Sequence, residues 1–335
     1  EEGAEGGAEG RDKKGAALRR SGGRGGGGGG EEGRRALKPV VVFVTGGMWI
    51  IGYKAWGANL CKGLAEEGIM AVSLDYRNFP QGTVGEMLVD VMAGVGWVIR
   101  NIEAYGGDPT RVTVVGQSCG AHLGLLAVLR QSEFEARGAR VPSWPLSCIN
   151  GFVGISGVYS VHSEKLAEHF DRQGLQRTLL WAIMEAGLTG KQSAEAMPRA
   201  SPVALALAPS WQHCGAAAQL PPMYLIHGTA DRSAPNWDAV AMAEALRVAG
   251  ASVREKHIDG GTHTSFFLEE PATGGRYELL EEVVGFVRSV ASSSRGAIDG
   301  GDGGEGAIVV APLAERPQIL PRSLVRYVAT RMMPF

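Results

Sequence analysis

The sequence is poor in cysteine and in long hydrophobic runs, and neither sign of charge dominates. Its 335 residues include four cysteines without C-x-x-C spacing, which argues against a disulfide-rich scaffold and predicts free thiols. The 33 basic and 35 acidic residues nearly cancel, so the net charge of -2 argues against a nucleic-acid partner. No stretch reaches the roughly 18 consecutive apolar residues that cross a bilayer, and no charged start followed by an apolar block predicts a signal peptide.

The two ends of the chain differ in composition from its middle. Residues 1–36 are rich in Gly, Glu, Arg and Lys, so we predict a disordered leader. A Ser/Gly/Asp-rich stretch predicts a flexible linker at 292–313, and the apolar and basic segment 314–335 is predicted to dock on the domain, with an anionic membrane surface as the alternative. Because the first residue is Glu rather than Met, an upstream membrane segment outside this sequence is a further expectation.

Residues 37–291 alternate short apolar runs with amphipathic stretches. This alternation is typical of βαβ units, so we predict one α/β domain with a mostly parallel central sheet flanked by helices. The predicted strands are 40–44, 69–74, 112–115, 149–155, 223–226 and 252–258. The predicted helices are 55–66, 84–105, 121–131, 237–248 and 277–290.

One interval, residues 157–220, interrupts this alternation. It contains a predicted helix at 176–185 and several bulky apolar residues, namely Phe170, Leu175, Leu179, Trp181 and Met184. An insert of this size between two strands is suited to cover a binding site, so we predict a helical cap. A peripheral helical decoration is the alternative.

A G-x-S-x-G pentapeptide at 116–120 directly follows a predicted strand and precedes a predicted helix. A serine in such a strand-to-helix turn is exposed on a strained backbone, and the flanking glycines leave room for the turn. We therefore predict Ser118 as a nucleophile. The alternative is a glycine-rich turn that holds a structural serine.

A serine hydroxyl attacks well only when an oriented base removes its proton. Asp231 and His263 follow the last two predicted strands, in the order serine, acid, histidine, and the carboxyl ends of parallel strands collect catalytic groups. We predict His263 as the base and Asp231 as its orienting acid. The rival candidates are His122, His227, Asp238 and Asp259, of which His227 fits a loop-bracing role better than catalysis.

The first predicted strand ends in Gly46 and Gly47, whose backbone N–H groups can approach a bound carbonyl closely. We assign these two groups and the N–H of Cys119 to an oxyanion hole, because an acyl-transfer site needs such donors. An ordinary turn is the alternative for the two glycines. No GxGxxG follows a strand and no His/Cys cluster has metal spacing, so we predict no cofactor and no metal.

Several segments resemble the plant-type isoprenylcysteine alpha-carbonyl methylesterases of the α/β-hydrolase superfamily. They are VVFVTGGMWIIGYKAW at 41–56, LDYRNFPQGT at 74–83, YGGDPTRV at 105–112, GQSCGAHLG at 116–124, HGTADRSAP at 227–235 and GGTHTSFFLEEP at 260–271. The insert and the last residues are similar to that family as well. Cys119 departs from the Ala that is usual beside the nucleophile.

The resemblance implies an α/β-hydrolase fold and a serine carboxylesterase that cleaves the methyl ester of a prenylated C-terminal cysteine. Prenylated cysteine methyl esters or prenylated proteins would be the substrates, with Trp49, Tyr53 and Trp181 as predicted substrate-binding residues. It also implies association with endoplasmic reticulum and Golgi membranes, with the catalytic domain facing the cytosol. A general carboxylesterase or arylformamidase and a non-catalytic hormone-receptor-like protein are the alternatives.

Overall fold

The computed structural model describes residues 36–139, 144–185 and 193–299, together with Leu313 and Pro321. The predicted leader, apart from Ala36, lies outside the described residues, as does nearly all of the segment 300–335. The last described helix continues to Asp299, so the predicted linker cannot begin at 292.

The described strands form one parallel six-stranded sheet in the order β2-β1-β3-β4-β5-β6. Their bounds are β1 (Lys38–Val44), β2 (Met70–Leu74), β3 (Gly107–Gln117), β4 (Ile149–Ile155), β5 (Met223–Gly228) and β6 (Val253–Ile258). All six predicted strands are therefore confirmed. The four inner strands carry the β-branched and apolar runs that are typical of strands buried between two layers of helices, whereas the edge strand β6 is largely polar and partly buried.

The residues of β1 alternate between two hydrophobic clusters, as expected for side chains on opposite faces of a strand. The helices that pack against the sheet include α1 (Ala58–Glu66), α2 (Val84–Asn101), α3 (Cys119–Ala136), α9 (Asn236–Val248) and α11 (Glu278–Asp299). Val40, Val42 and Val44 pack with α2, α3, α9 and the insert, whereas Val41 and Phe43 pack with α1 and α11. Helices thus cover both faces of the sheet.

The predicted insert is helical. Its helices are α4 (Glu164–Arg172), α5 (Arg177–Ile183), α6 (Ser193–Ala200), α7 (Pro202–Leu207) and α8 (Pro209–Gln212). Of these, α5 matches the predicted helix at 176–185. The others were not predicted: α6, α7 and α8 each contain a proline, whereas α4 has nine residues without proline and was missed although it buries Leu166 and Phe170 on one face. Phe170, Leu175 and Met184 are only 1–4% exposed and belong to the first cluster, so the core continues into the cap.

The cap also contacts the start of α2. The carboxylate of Glu185 accepts a hydrogen bond from the backbone N–H of Gly85 at 3.0 Å and another from the Thr83 hydroxyl. Because the first N–H groups of a helix have no partner within it, this carboxylate satisfies a free donor and complements the helix dipole.

The remaining described α-helix is the short α10 (Glu270–Thr273).

Candidate active site

Ser118 occupies the junction between β3 and α3, with φ 55° and ψ -125°. Residues other than glycine rarely adopt positive φ, so the backbone of Ser118 is strained. The turn tolerates this only because its neighbours are small: a Cβ on Gly120 would lie 2.2 Å from the carbonyl oxygen of Val44. The backbone N–H of Ser118 donates to Ile155 O at 2.8 Å, which ties the turn to β4.

Asp231 and His263 contact each other across the loops that follow β5 and β6. His263 Nδ1 lies 2.8 Å from Asp231 Oδ2, while Asp231 Oδ1 accepts the backbone N–H groups of Ser233 and Ala234 at 2.9 Å each. Burial by itself would raise the pKa of Asp231, but the imidazoles of His263 and His227 hold that pKa well below its usual range. The group is therefore a carboxylate that accepts the Nδ1 proton of His263.

The other ring nitrogen of His263 faces the end of β3. With the proton on Nδ1, Nε2 carries a lone pair and can accept a proton. It lies 3.4 Å from the side-chain Nε2 of Gln117, the residue before Ser118. In the described part of the chain the Ser118 hydroxyl has no hydrogen-bond partner, so the imidazole reaches the nucleophile turn through Gln117.

The loop after β1 is folded tightly beside the turn that carries Ser118. Gly47 has φ +120°, and the two residues after it, Met48 and Trp49, also have positive φ values of 53° and 60°. The thiol of Cys119 accepts the backbone N–H of Trp49 at 3.2 Å. Burial raises the pKa of this thiol to about 11, so it stays protonated.

The three predicted substrate-binding residues differ in accessibility. Trp49 is fully buried, because its loop turns the indole into the core. Tyr53 is 52% exposed, and Trp181 lines a cavity of 170 Å³ within the cap, together with Val161 and Met197. The sequence offers no sign of the burial of Trp49, since aromatic residues occur equally in cores and at sites.

The rival candidates have other partners. His227 Nε2 lies 2.9 Å from Ala234 O and 3.3 Å from Asp231 Oδ2, so this imidazole braces the loop that carries the carboxylate, as predicted. Asp238 is fully buried and accepts the backbone N–H of Tyr159 at 2.6 Å, and Asp259 accepts the Thr229 hydroxyl. His122 is also buried and is bonded to Trp49 and Ala200.

Sequence reasoning missed two residues of this region. Gln117 fills the space between His263 and Gly46, since a Cβ added to Gly46 would lie 2.1 Å from Gln117 Oε1. Tyr76 donates its hydroxyl to Thr45 O at 3.0 Å. Nothing in the sequence marks either residue as functional apart from its position in or next to a motif.

Among the described residues, no group of three or more His, Cys, Asp or Glu could hold a metal ion, and no helix is long and apolar enough to span a bilayer.

Residues 41–267 match the model of a family described as having the alpha/beta hydrolase fold. This chain belongs to that family. The match includes Ser118, Asp231 and His263, and the parallel sheet of this α/β-hydrolase agrees with it.

Curated relatives of this α/β-hydrolase include isoprenylcysteine alpha-carbonyl methylesterase of Arabidopsis thaliana, which is 43% identical over 76% of this chain and 56% of the relative. A protein of Oryza sativa subsp. japonica, named a probable isoprenylcysteine alpha-carbonyl methylesterase, is 43% identical over 75% of this chain and 56% of its own length. The chain thus spans somewhat more than half the length of these relatives.

Solved structures of esterases share the fold. Esterase B from Lactobacillus rhamnosis has a TM-score of 0.60 at 20% identity, covering 79% of this chain and 81% of that chain. Carboxyl esterase 2 from Tuber melanosporum has a TM-score of 0.57 at 18% identity, covering 77% of this chain and 78% of that chain. At these identities the likeness concerns the fold alone.

Proposed function

We propose that this α/β-hydrolase is a serine carboxylesterase that hydrolyses the methyl ester of a prenylated C-terminal cysteine. The observation that carries the proposal is the buried pair of His263 and Asp231, 2.8 Å apart, whose imidazole lies 3.4 Å from Gln117, the residue before a serine on a strained strand-to-helix turn. This arrangement suits acyl transfer, because an Nδ1–H that donates to Asp231 leaves Nε2 unprotonated and able to accept a proton. The names of the plant relatives support the choice of ester.

In the proposed reaction the Ser118 oxygen attacks the ester carbonyl while its proton passes to His263 Nε2. Asp231 stabilises the imidazolium that forms, and the backbone N–H groups of Gly46, Gly47 and Cys119 hold the oxyanion. Collapse of the tetrahedral intermediate breaks the bond to methoxide, which leaves as methanol with the proton from His263. Water then attacks the acyl-enzyme with the same base, which releases the carboxylate and restores Ser118.

A prenylated substrate partitions into membranes, so we propose that the protein works at a membrane surface. The endoplasmic reticulum and the Golgi apparatus, with the catalytic domain facing the cytosol, are the proposed location. Flotation of the full-length protein with liposomes, and fractionation of cells that express it, test this part separately from catalysis.

The test of the reaction is an ester panel. Purified protein is assayed on farnesylcysteine methyl ester, p-nitrophenyl acetate and an N-formyl aromatic amide. We expect the farnesylated ester to have the highest kcat/KM, because each buried methylene contributes about 0.8 kcal/mol to binding. The non-prenylated analogue of farnesylcysteine methyl ester is assayed beside it. Equal kcat/KM values for these two esters would contradict the proposed preference for a prenylated substrate.

Ser118→Ala tests the nucleophile on the same panel. We expect kcat to fall by about 10⁴-fold or more, because no other group can form the acyl-enzyme. Ser132→Ala is the matched control, since Ser132 is a buried serine of the same helix that donates to Leu129 O at 2.8 Å. Turnover by Ser118→Ala within an order of magnitude of the parent would contradict the assignment.

A general carboxylesterase for short esters is the second candidate, and one observation favours it. Phe170, Leu175 and Met184 of the cap are buried in the core and so leave little of their apolar surface for a long chain. Preference for p-nitrophenyl acetate over the farnesylated ester would select this candidate.

A further inference from the structure

His122 joins two parts of the molecule that are far apart in sequence. It lies on α3, one helical turn after Ser118, and is fully buried. Its Nδ1 lies 3.3 Å from Trp49 Nε1, and its Nε2 lies 2.7 Å from Ala200 O. The rings of Trp49 and His122 are nearly perpendicular, with centroids 5.4 Å apart.

The chemistry of the two partners determines the proton position on His122. An indole N–H can only donate and a carbonyl oxygen can only accept, so Nδ1 accepts from Trp49 and Nε2 donates to Ala200. Burial lowers the pKa of His122 to about 4, which keeps the ring neutral at physiological pH. Both hydrogen bonds therefore persist in a single tautomer.

The two partners belong to segments with different tasks. Trp49 ends the strained loop that contains Gly46 and Gly47, the proposed oxyanion donors. Ala200 is the last residue of α6 in the cap, and the next residue, Ser201, donates its hydroxyl to Tyr159 O at 2.8 Å, near the other end of the cap insert. One imidazole therefore contacts both the last residue of α6 and the loop.

We propose that His122 is a positioning residue that links the cap to the loop of Gly46 and Gly47, through its bonds to Ala200 O and the Trp49 indole. The inference rests on the proposed role of the two glycines in the oxyanion hole. A purely structural role would cost stability alone. A positioning role lowers kcat as well, because displaced donors stabilise the transition state poorly while ground-state binding is unchanged.

Three variants test the two hydrogen bonds of His122 separately. His122→Gln retains a donor near the position of Nε2 for Ala200 O but loses the acceptor for Trp49, and His122→Asn does the reverse. Trp49→Phe removes the indole donor and keeps an aromatic ring. Trp211→Phe is the matched control, because Trp211 is equally buried and its Nε1 donates at 3.2 Å to Leu129 O on the same helix, away from the loop.

Each variant is assayed on p-nitrophenyl acetate for kcat and KM, and its melting temperature is measured. We expect Trp49→Phe and His122→Gln to lower kcat about tenfold with KM within about twofold, since small displacements of catalytic groups have such effects. His122→Asn should lose less kcat than His122→Gln. Trp211→Phe should keep kcat within about twofold of the parent while its melting temperature falls comparably.

Two outcomes would overturn the proposal. One is a kcat for Trp49→Phe and His122→Gln that matches that of Trp211→Phe at equal loss of melting temperature. The other is a rise in KM without a fall in kcat. Either result obtained while Ser118→Ala is inactive refutes only the role of His122, whereas an active Ser118→Ala refutes the proposed function itself.

Discussion

The two loops that flank Ser118 are held in different ways. The loop of residues 45–49 after β1 is held by buried side chains from distant parts of the chain: Tyr76 donates to Thr45 O, and Cys119 and His122 bind Trp49. These bonds span 31 to 73 residues of sequence and are shielded from water.

The loop after β6, which carries His263, is held mainly by the adjacent loop after β5. Ala230 N donates to Gly261 O at 3.0 Å, and Gly260 N donates to the Thr229 hydroxyl at 2.8 Å. These contacts are mostly backbone-mediated and partly exposed. Side-chain substitutions near the first loop should therefore affect stability and chemistry together, whereas the chemistry near the second loop depends on few side chains.

Of the substitutions that compare the two loops, one near the second loop should have the largest effect, which is on kcat. Asp231→Asn should lower kcat on p-nitrophenyl acetate by about 10³–10⁴-fold, because an amide no longer orients the His263 tautomer or stabilises the imidazolium. Asp259→Asn, in an exposed position of the same region, is the control and should keep its activity. A loss below tenfold for Asp231→Asn would mean that another group orients His263.

An intermediate effect is expected where the first loop meets the nucleophile turn. Gly120→Ala should lower the free energy of unfolding by about 2–3 kcal/mol, because the new methyl group must displace backbone at Val44 and Thr45. Gly124→Ala, one turn further along α3, places its methyl group 3.3 Å from Val114 Cγ1 and should change stability by less than about 1 kcal/mol. Urea denaturation measures both, and equal values would show that the close approach at Gly120 relaxes freely.

The smallest expected effect is the loss of one anchor of the first loop. Tyr76→Phe removes the hydroxyl that donates to the buried Thr45 carbonyl and should cost about 1 kcal/mol of unfolding free energy. Tyr105→Phe, at a position that is 63% exposed, is the control and should cost nothing measurable. If the two variants unfold at the same urea concentration, Tyr76 does not anchor the loop.

The sequence predicted much of the fold because its signals are local. Short segments, most of them β-branched or apolar, predicted six strands, and glycines at both sides of Ser118 predicted the turn between β3 and α3. The positions of Asp231 and His263 after successive strands predicted their proximity, since parallel strands end at one edge of a sheet. The helices α6, α7 and α8 were missed because each carries proline, whereas α4 was missed although it has nine residues and no proline.

The side-chain contacts of the first loop could not be predicted in the same way. Cys119 and His122 look like ordinary helix residues in the sequence, and nothing near Trp49 shows that its indole turns inward to meet them. The full burial of Trp49 was therefore not predicted. Gln117 likewise acquires its place between His263 and Gly46 only when β1, β3 and the loop after β6 are assembled.

By itself, the sequence determined the order of strands and helices, the strained serine turn and the chain positions of the acid and the histidine. These follow from backbone preferences and hydrophobic periodicity, which act over a few residues. Only the tertiary structure decided which buried side chains brace the loop after β1 and how the cap joins the core. Those contacts depend on the packing of segments distant in the chain, where many pairings are compatible with the same local pattern.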